Sequence, residues 1–291
     1  VPVLQDASRH ILLAGGKRVR PRLLFLSYLI AGGSSLEDAV PLAAAVELVH
    51  TATLVHDDIN DHGTTRRGHV TINERWGRTF ALLTGDFLFA QVYRLMAPYK
   101  DLNTTFAEAT VALVEGETLQ AAAAKDNNLN RDLYQKIVAK KTASLFRASA
   151  LLGAQLAGGK ADIVDTLGEY GFYLGLAFQI VDDLLDLTGD PVLMGKDAGV
   201  DVLQGKGVAT AVRTNGSADG YTASAVALVE PPDDAITAIK RRLIEGGAVE
   251  EGRQMAQVLA MQANRCLDRL PQGPEVEQLR DLSTAVIERD N

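Results

Sequence analysis

The chain has 291 residues, a formal net charge of −8, 47% hydrophobic residues and 23% charged residues. This composition is typical of a folded globular protein, and the length is ample for a large core. The acidic balance argues against a nucleic-acid-binding protein, whose usual footprint is a basic face.

Targeting signals are weak in this sequence. The apolar run from Pro41 to Val49 is interrupted by Glu47 and is well short of the roughly 20 residues that a membrane-spanning helix needs. We therefore expect no transmembrane segment. The single cysteine, Cys266, cannot form an internal disulfide, which favours a reducing compartment and predicts a cytoplasmic protein.

Apolar residues recur at helical spacing in long blocks, and the alternating β-branched runs typical of strands are almost absent. In chain order, with boundaries good to about three residues, the predicted helices cover residues 3–14, 18–32, 37–62, 70–97, 103–125, 130–157, 162–188, 217–229, 233–246, 248–270 and 275–289. No segment resembles an interdomain linker. The sequence therefore predicts an all-α protein in which residues 1–291 form a single domain, a large helical bundle.

The first of two acidic clusters is Asp57-Asp58-Ile59-Asn60-Asp61. On a helix, Asp57 and Asp61 share a face because they are four residues apart, and Asp58 flanks the same patch. Like charges at this spacing destabilise an isolated helix by a few tenths of a kcal/mol per pair. Because the cluster directly follows apolar sequence at Leu54-Val55, it requires a compensating cation.

The second cluster repeats this spacing with Asp182, Asp183 and Asp186, after the apolar stretch Phe178–Val181. Carboxylate oxygens without an accompanying His or Cys set favour Mg²⁺ over Zn²⁺. Since Mg²⁺ usually takes only one or two carboxylates and completes its shell with water and substrate phosphate, two facing clusters would hold several ions around a diphosphate. A solvated acidic helix face is the ordinary explanation for one such cluster, and the repeat argues against it.

Basic residues are concentrated beside the acidic clusters. They are Lys17 and Arg20 in Gly-Gly-Lys-Arg-Val-Arg-Pro, the pair Arg66-Arg67, Lys141 before Thr142, and Lys196 and Lys206 after the second cluster. Arginine binds phosphate through a planar fork, and lysine binds it as a point charge. A single pair of this kind is usually a surface salt bridge, but the complete set indicates a phosphorylated, metal-bound substrate.

The motifs also occur in a characteristic order. Gly-Gly-Lys-Arg-Val-Arg-Pro is followed by Glu47–Ala52, Asp-Asp-x-x-Asp, Arg-Arg-Gly, Gly85-Asp86, Lys-Thr and Phe-Gln-x-x-Asp-Asp-x-x-Asp. From about residue 9 to about residue 289, the chain resembles the trans-isoprenyl diphosphate synthases, or polyprenyl synthetases. The resemblance implies a helical bundle around a central cavity and a homodimer. It also implies a Mg²⁺-dependent prenyltransferase that joins an allylic diphosphate head-to-tail to isopentenyl diphosphate, giving an all-trans polyprenyl diphosphate.

Residue roles are implied by the same resemblance. The metal ligands would be Asp57 and Asp61, with Asp58, and Asp182, supported by Asp183 and Asp186, for about three Mg²⁺ ions per substrate-bound site. The diphosphate of isopentenyl diphosphate would be held by Lys17, Arg20, His50 and Arg67, and the allylic diphosphate by Arg66, Lys141, Lys196 and Lys206. Thr142 and Gln179 would line the reacting centre. The ordinary alternatives are a buried core histidine for His50 and a polar core residue for Gln179.

Product length is expected to depend on the helix that carries Asp57. The residues expected to line the path of the growing tail are Thr53, Ala52, Val49, Val46 and Ala45. Because none of them is aromatic, this wall predicts a product of twenty or more carbons. Three aromatic residues of the next helix, Phe80, Phe87 and Phe89, are candidates for closing the path.

One departure from the family pattern and three rival functions stand beside this interpretation. The family usually has Gly-Lys-x-Thr-x-Pro after the second acidic motif, whereas this chain has Gly205-Lys206-Gly207-Val208-Ala209-Thr210.

A class I terpene cyclase usually carries an Asn/Ser/Glu metal triad as its second motif, and a head-to-head synthase would lack the Gly-Gly-Lys-Arg segment. A non-catalytic or modulating subunit of a heteromeric prenyl synthase would be expected to have eroded aspartates.

Overall fold

The computed structural model describes residues 1–126, 128–188, 207, 241 and 243–289. The helices are α1 (Pro2–Leu13), α2 (Val19–Ile30), α3 (Leu36–Asn60), α4 (Ile72–Trp76), α5 (Arg78–Met96), α6 (Leu102–Asp126), α7 (Arg131–Val138), α8 (Ser144–Leu156), α9 (Ala161–Thr188), α10 (Ala248–Leu267) and α11 (Pro274–Ile287). A π-helical turn, Ala139–Ala143, joins α7 to α8, and strands β1 (Thr65–Arg66) and β2 (His69–Val70) form an antiparallel hairpin. The prediction of an all-α protein is confirmed.

Two predicted helices differ from the structure in detail. The helix predicted over 70–97 is divided into α4 and α5 at Gly77, whose φ of 82° does not continue a helix. The segment predicted as one helix over 130–157 contains the π-helical turn. Both differences are local backbone changes that apolar periodicity does not register. The predicted helices over 217–229 and most of 233–246 lie outside the described residues.

Close helix packing depends on small residues at the contacts. A Cβ atom at Gly153 of α8 would lie 2.2 Å from the Leu24 carbonyl oxygen of α2. A Cβ atom at Gly175 of α9 would lie 2.7 Å from the Ala143 Cα atom. Helices α2, α8, α9, α10 and α11 share one apolar cluster. Because these helices approach so closely, the core excludes water and holds the ends of the helices in fixed positions.

Helix α3 packs against α5 on one side and against α2 and α8 on the other. It is the one helix in the described part of the chain that is long and apolar enough to cross a membrane, by length and composition alone. The expectation that no segment is apolar enough to span a membrane was wrong as a statement about length and composition. In the structure 56% of its most apolar window is buried inside the bundle, so its apolar residues serve as core.

The phenol of Tyr170 joins α9 to α11. Its oxygen donates a hydrogen bond to the Leu279 carbonyl oxygen at 2.6 Å and lies 3.1 Å from Ser283 Oγ. We expect Tyr170→Phe to lower the free energy of unfolding by about 1–2 kcal/mol, because a buried acceptor loses its donor. Urea denaturation followed by circular dichroism measures this change. Tyr93→Phe is the control because Tyr93 is exposed, and equal losses in both variants would contradict the expectation.

Candidate functional site

The helices enclose a cavity of about 680 Å³. Its walls are the ends of α3 and α9, the start of α2, the hairpin loop, α6 and the π-helical turn. The predicted site residues that line it are Lys17, Arg20, His50, Asp57, Asp58, Asp61, Arg66, Arg67, Lys141, Thr142, Gln179 and Asp182. The structure therefore gathers residues that are up to 165 positions apart (182 − 17) around one cavity. Lys196 and Lys206 lie outside the described residues.

The first acidic motif occupies the last turn of α3 and the residue after it. Although α3 ends at Asn60, the Asp61 amide donates to the Asp57 carbonyl oxygen at 2.8 Å. Both side chains consequently line the cavity, as their spacing predicts. Asp58 is only 2% exposed and accepts a hydrogen bond from Arg66 Nε at 2.6 Å. Burial raises the pKa of Asp58 to about 6, although Arg66 acts in the opposite direction.

The aspartates of the second acidic motif also differ in their exposure to solvent. The Asp182 side chain is 41% exposed and forms an ion pair with Arg289 Nη1 at 2.8 Å. Asp183 lines the cavity but is largely buried. Asp186 is 1% exposed and lies outside the described cavity lining. Its role as a metal ligand, like that of Asp58, stays a prediction.

The carboxylates that line the cavity fit Mg²⁺ that is bound together with a diphosphate. Within the described ranges, no group of three or more His, Cys, Asp or Glu residues converges closely enough to hold a metal ion. Mg²⁺ does not require such a cage, because it takes one or two carboxylates and fills its shell with water and phosphate oxygens. Asp57 and Asp61 of the first motif and Asp182 of the second supply hard oxygens to the lining of the same cavity.

Arg20, Arg67 and Lys17 form a cationic pocket in the lining of the same cavity, in which Arg67 is partly exposed and Lys17 is exposed. Arg20 is buried and its Nε has no hydrogen-bond partner among the described residues. Burial lowers the pKa of Arg20 to about 10, and repulsion from Arg67 acts in the same direction. Burial also lowers the pKa values of Lys17 and Arg67. A bound anion would offset the cost of burying these charges, so the pocket suits a diphosphate.

Two arginines at this pocket occupy left-handed backbone conformations. Arg67 has a φ of 53° and precedes Gly68, with a φ of 74°, in the two-residue turn of the hairpin. Positive φ at both central positions matches the twist of a tight hairpin. Arg18 has a φ of 48°, forms an ion pair with Glu47 and donates to the Leu12 carbonyl oxygen at 2.7 Å. Such strained positions cluster at functional sites.

The π-helical turn places Lys141 and Thr142 in the cavity wall. It can approach α6 because Gly116 has no side chain, and a Cβ atom there would lie 2.4 Å from the Lys141 amide nitrogen. The Lys141 Nζ atom lies 2.9 Å from Glu117 Oε2, 2.8 Å from Gln120 Oε1 and 3.6 Å from Asp57 Oδ2. A π-helical turn inside an α-helical segment is frequent at functional sites.

Several residues of the cavity were missed from the sequence. Glu47, Glu117, Gln120 and Arg289 all line it. The sequence offered a hint for two of them. Glu47 interrupts an apolar run, and Glu117 follows a glycine, Gly116, that packs closely against the π-helical turn. Arg289 had none, because its proximity to Asp182 depends on how α11 packs against α9.

The predicted wall for the growing tail is not formed as expected. Thr53 lines the cavity, but Ala52 is buried in the apolar cluster with α1 and α5. Val49, Val46 and Ala45 are buried in the cluster with α2 and α8. That face of α3 is used for helix packing, and apolar residues that do line the cavity include Leu54, Leu113, Leu145 and Phe178. Of the three phenylalanines, Phe80 is exposed and Phe89 packs near His56, with 6.1 Å between ring centroids.

His50 is partly buried and lies close to several cations, and its titration provides a test of this pocket. Burial, followed by repulsion from Arg20, Arg67, Arg66 and Arg18, holds the pKa of His50 well below its ordinary value of 6.5. The unfolded chain therefore gains a proton at His50 as pH falls through about 6.5, whereas the folded chain does not, so stability is lost at acidic pH.

We expect wild-type stability to fall more steeply than that of His50→Gln between about pH 6.5 and 5.5, by up to about 1.4 kcal/mol per pH unit. Urea denaturation at each pH measures the two slopes. His69→Gln, at an exposed position, is the control. Parallel slopes for wild type and His50→Gln would show that His50 does not lie close to these cations in solution.

Similar known proteins identify the family of this chain. A family model described as polyprenyl synthetase matches residues 1–229. The component 2 of heptaprenyl diphosphate synthase from Geobacillus stearothermophilus is 37% identical over 295 residues, which cover 99% of this chain and 90% of the relative. Other curated relatives are named as nonaprenyl, octaprenyl and geranylgeranyl diphosphate synthases.

Two solved structures of similar fold contain a metal and isoprenyl diphosphate. The polyprenyl synthase of Caulobacter crescentus CB15, complexed with calcium and isoprenyl diphosphate, has a TM-score of 0.93 and 33% identity, covering 99% of this chain and 89% of its own. The geranylgeranyl pyrophosphate synthase of Corynebacterium glutamicum, complexed with isoprenyl diphosphate and magnesium, has a TM-score of 0.89 and 29% identity, covering 98% and 91%. This chain belongs to the polyprenyl synthetase family and is a trans-prenyltransferase that condenses prenyl diphosphates.

Proposed function

We propose that this chain is a Mg²⁺-dependent synthase that extends an allylic diphosphate with isopentenyl diphosphate to an all-trans product. A product of twenty or more carbons is supported by the names of the geranylgeranyl, octaprenyl and nonaprenyl diphosphate synthase relatives, and no longer by the α3 wall. The observation that carries the proposal is the placement of Asp57, Asp61 and Asp182 around one cavity. The buried Arg20 and the partly buried Lys141 line the same cavity. Carboxylates and cations held together at the edge of an apolar interior suit a metal-bound diphosphate with a hydrocarbon tail.

Each group of cavity residues has a separate task in this proposal. Asp57 and Asp61, together with Asp182, would hold Mg²⁺, which when bound there neutralises charge on the leaving diphosphate. The allylic diphosphate is held by Arg66 and Lys141, together with Lys196 and Lys206. The last two lie outside the described residues. The diphosphate of isopentenyl diphosphate is held by Lys17, Arg20, His50 and Arg67. The buried position of Arg20 and the lowered pKa of His50 support a neutral imidazole among fixed cations.

The chemistry begins when the C–O bond of the allylic diphosphate breaks. Lys141 and Arg66 then face a growing negative charge, which fixed cations stabilise without reorganisation. Thr142 and Gln179 stabilise the allylic cation through the dipoles of their oxygen atoms. The double bond of isopentenyl diphosphate attacks this cation, and the released diphosphate accepts the proton that is then lost. Apolar side chains such as Leu113 and Leu145 exclude water, which would otherwise quench the cation.

The remaining proposals concern the state of the protein. We propose one domain over residues 1–291, in the cytoplasm, which agrees with a single buried cysteine. We also propose a homodimer, because α5 and α6 each expose an apolar pair at helical spacing, Phe80 with Leu83 and Val111 with Val114. Exposed apolar surface of this kind is unfavourable in a monomer.

Sedimentation equilibrium tests the homodimer. We expect the purified chain to have about twice its monomer mass of 31.1 kDa, and Leu83→Glu to shift it toward the monomer, because a charge on a buried dimer contact is unfavourable. Val258→Glu is the matched control, since Val258 is exposed on α10. A monomeric wild-type protein, or equal dissociation in both variants, would exclude the proposed interface.

A modulating subunit is the second candidate function. It is favoured by one observation, the relative whose name describes it as component 2 of a synthase. The intact aspartates of both motifs argue for catalysis. The purified chain alone, with Mg²⁺, radiolabelled isopentenyl diphosphate and allylic primers of several lengths, separates the two functions. Chromatography of the products also measures their chain length, and no incorporation with any primer would favour the modulating subunit.

Asp57→Ala tests the metal site within the same assay. We expect turnover to fall by about two orders of magnitude or more, because charge on the leaving diphosphate is left uncompensated. The helical circular dichroism signal should be retained, since Asp57 contributes little to the core. The control is Asp6→Ala, at an exposed position of α1. Near-normal turnover of Asp57→Ala would overturn the metal assignment.

A further inference from the structure

A chain of hydrogen bonds connects α7 with the reacting centre. The Tyr134 hydroxyl donates to Asp183 Oδ2 at 2.6 Å, and Gln179 Nε2 donates to Asp183 Oδ1 at 2.8 Å. The Thr142 hydroxyl donates to Gln179 Oε1 at 2.6 Å. Three segments, α7, the π-helical turn and α9, are therefore linked through side chains at the cavity wall.

The chemistry of Asp183 sets the direction of this chain. Asp183 accepts a hydrogen bond at each of its oxygens, so the NH₂ group of Gln179 faces Asp183 and its amide oxygen faces Thr142. Thr142 donates its only hydroxyl proton to that oxygen. Both Thr142 and Gln179 line the cavity. The Thr142 hydroxyl therefore has only its lone pairs left, and the Gln179 amide oxygen keeps a second lone pair, for a group that develops positive charge.

Tyr134 lies behind this arrangement and outside the described lining of the main cavity. It is buried in α7 and borders a small pocket of about 20 Å³ that Thr142 and Gln179 also line, and its hydrogen bond to Asp183 is buried. Hydrogen bonds in such a water-poor setting are stronger than those exposed to solvent. The phenol therefore holds one Asp183 oxygen in place while the other oxygen accepts from Gln179.

We propose that Tyr134 is a positioning residue for prenyl transfer. By fixing the Asp183 carboxylate, it orients Gln179 and Thr142 so that their oxygens face the allylic carbon as its C–O bond breaks. It also keeps Asp183 in this hydrogen-bonded role, while Asp182 faces the diphosphate. Tyr134 touches neither substrate, so its effect falls on the rate of ionisation and leaves the binding of either diphosphate unchanged. The inference rests on the proposed function.

Tyr134→Phe removes the hydroxyl and keeps the ring. In a rapid-quench single-turnover assay we expect the rate to fall roughly tenfold, because the carbonyl and hydroxyl dipoles are no longer held in position. The KM values of both substrates should stay within about twofold of wild type, since the groups that bind them are intact. Asp183→Asn should lower the rate at least as much. The side-chain amide introduced at position 183 can donate a hydrogen bond to Gln179, which allows the Gln179 amide group to rotate by 180°.

A fluorinated substrate separates positioning from a merely structural role. Fluorine on the central allylic carbon destabilises the cation, and a site with misaligned oxygens compensates for it less well. We expect the ratio of single-turnover rates, unfluorinated to fluorinated, to be larger in Tyr134→Phe than in wild type. A loss of folded protein would lower both rates equally and leave this ratio unchanged.

Tyr170→Phe is the matched control, because Tyr170 is also a buried, hydrogen-bonded phenol but bonds to α11 and lies outside the cavity lining. It should lose thermal stability while its single-turnover rate and its fluorine ratio stay at wild-type values. A normal rate in Tyr134→Phe, or an unchanged fluorine ratio, would overturn the inference. An inactive wild-type chain would instead overturn the proposed function, so the two failures are distinguishable.

Discussion

Like charges repel, and this fold brings many of them into one cavity at the edge of an apolar bundle. Each group of carboxylates is held next to cations. Asp58 pairs with Arg66, Lys141 lies near Asp57, and Arg289 pairs with Asp182. The cationic pocket has an excess of positive charge instead. Burial and repulsion from neighbouring arginines lower the pKa values of Lys17 and Arg67. In the proposed function, a diphosphate bound with Mg²⁺ would compensate both the negative charge of the aspartates and the positive charge of the cationic pocket.

The apolar packing of the helices makes this arrangement possible. Helix α3 buries most of its length between two apolar clusters and presents its last turn to the cavity. Glycines at the contacts allow α8 and the π-helical turn to approach their neighbours at distances that a Cβ atom would prevent. Because the core is closely packed, the charged ends of the helices cannot move apart to relieve their repulsion.

The two acidic motifs are alike in sequence and unequal in their surroundings. In each motif the first two aspartates both line the cavity, but the second is more buried and is held in hydrogen bonds. Asp58 accepts from Arg66, and Asp183 accepts from Tyr134 and Gln179. The spacing in the sequence shows which carboxylates share a helix face, but it does not distinguish a side chain that faces ligand from one that orients a neighbour.

The sequence by itself determined the helical class, the two acidic motifs and the family, because these depend on local spacing and on the order of motifs along the chain. It did not indicate Arg289, Tyr134 or the hairpin that carries Arg67, since these depend on contacts between distant segments or on a two-residue turn. It also misplaced the wall near Ala52, which α1 and α5 cover. Only the tertiary structure decided which face of each helix is packed and which is open, because that choice is made by the neighbouring helices.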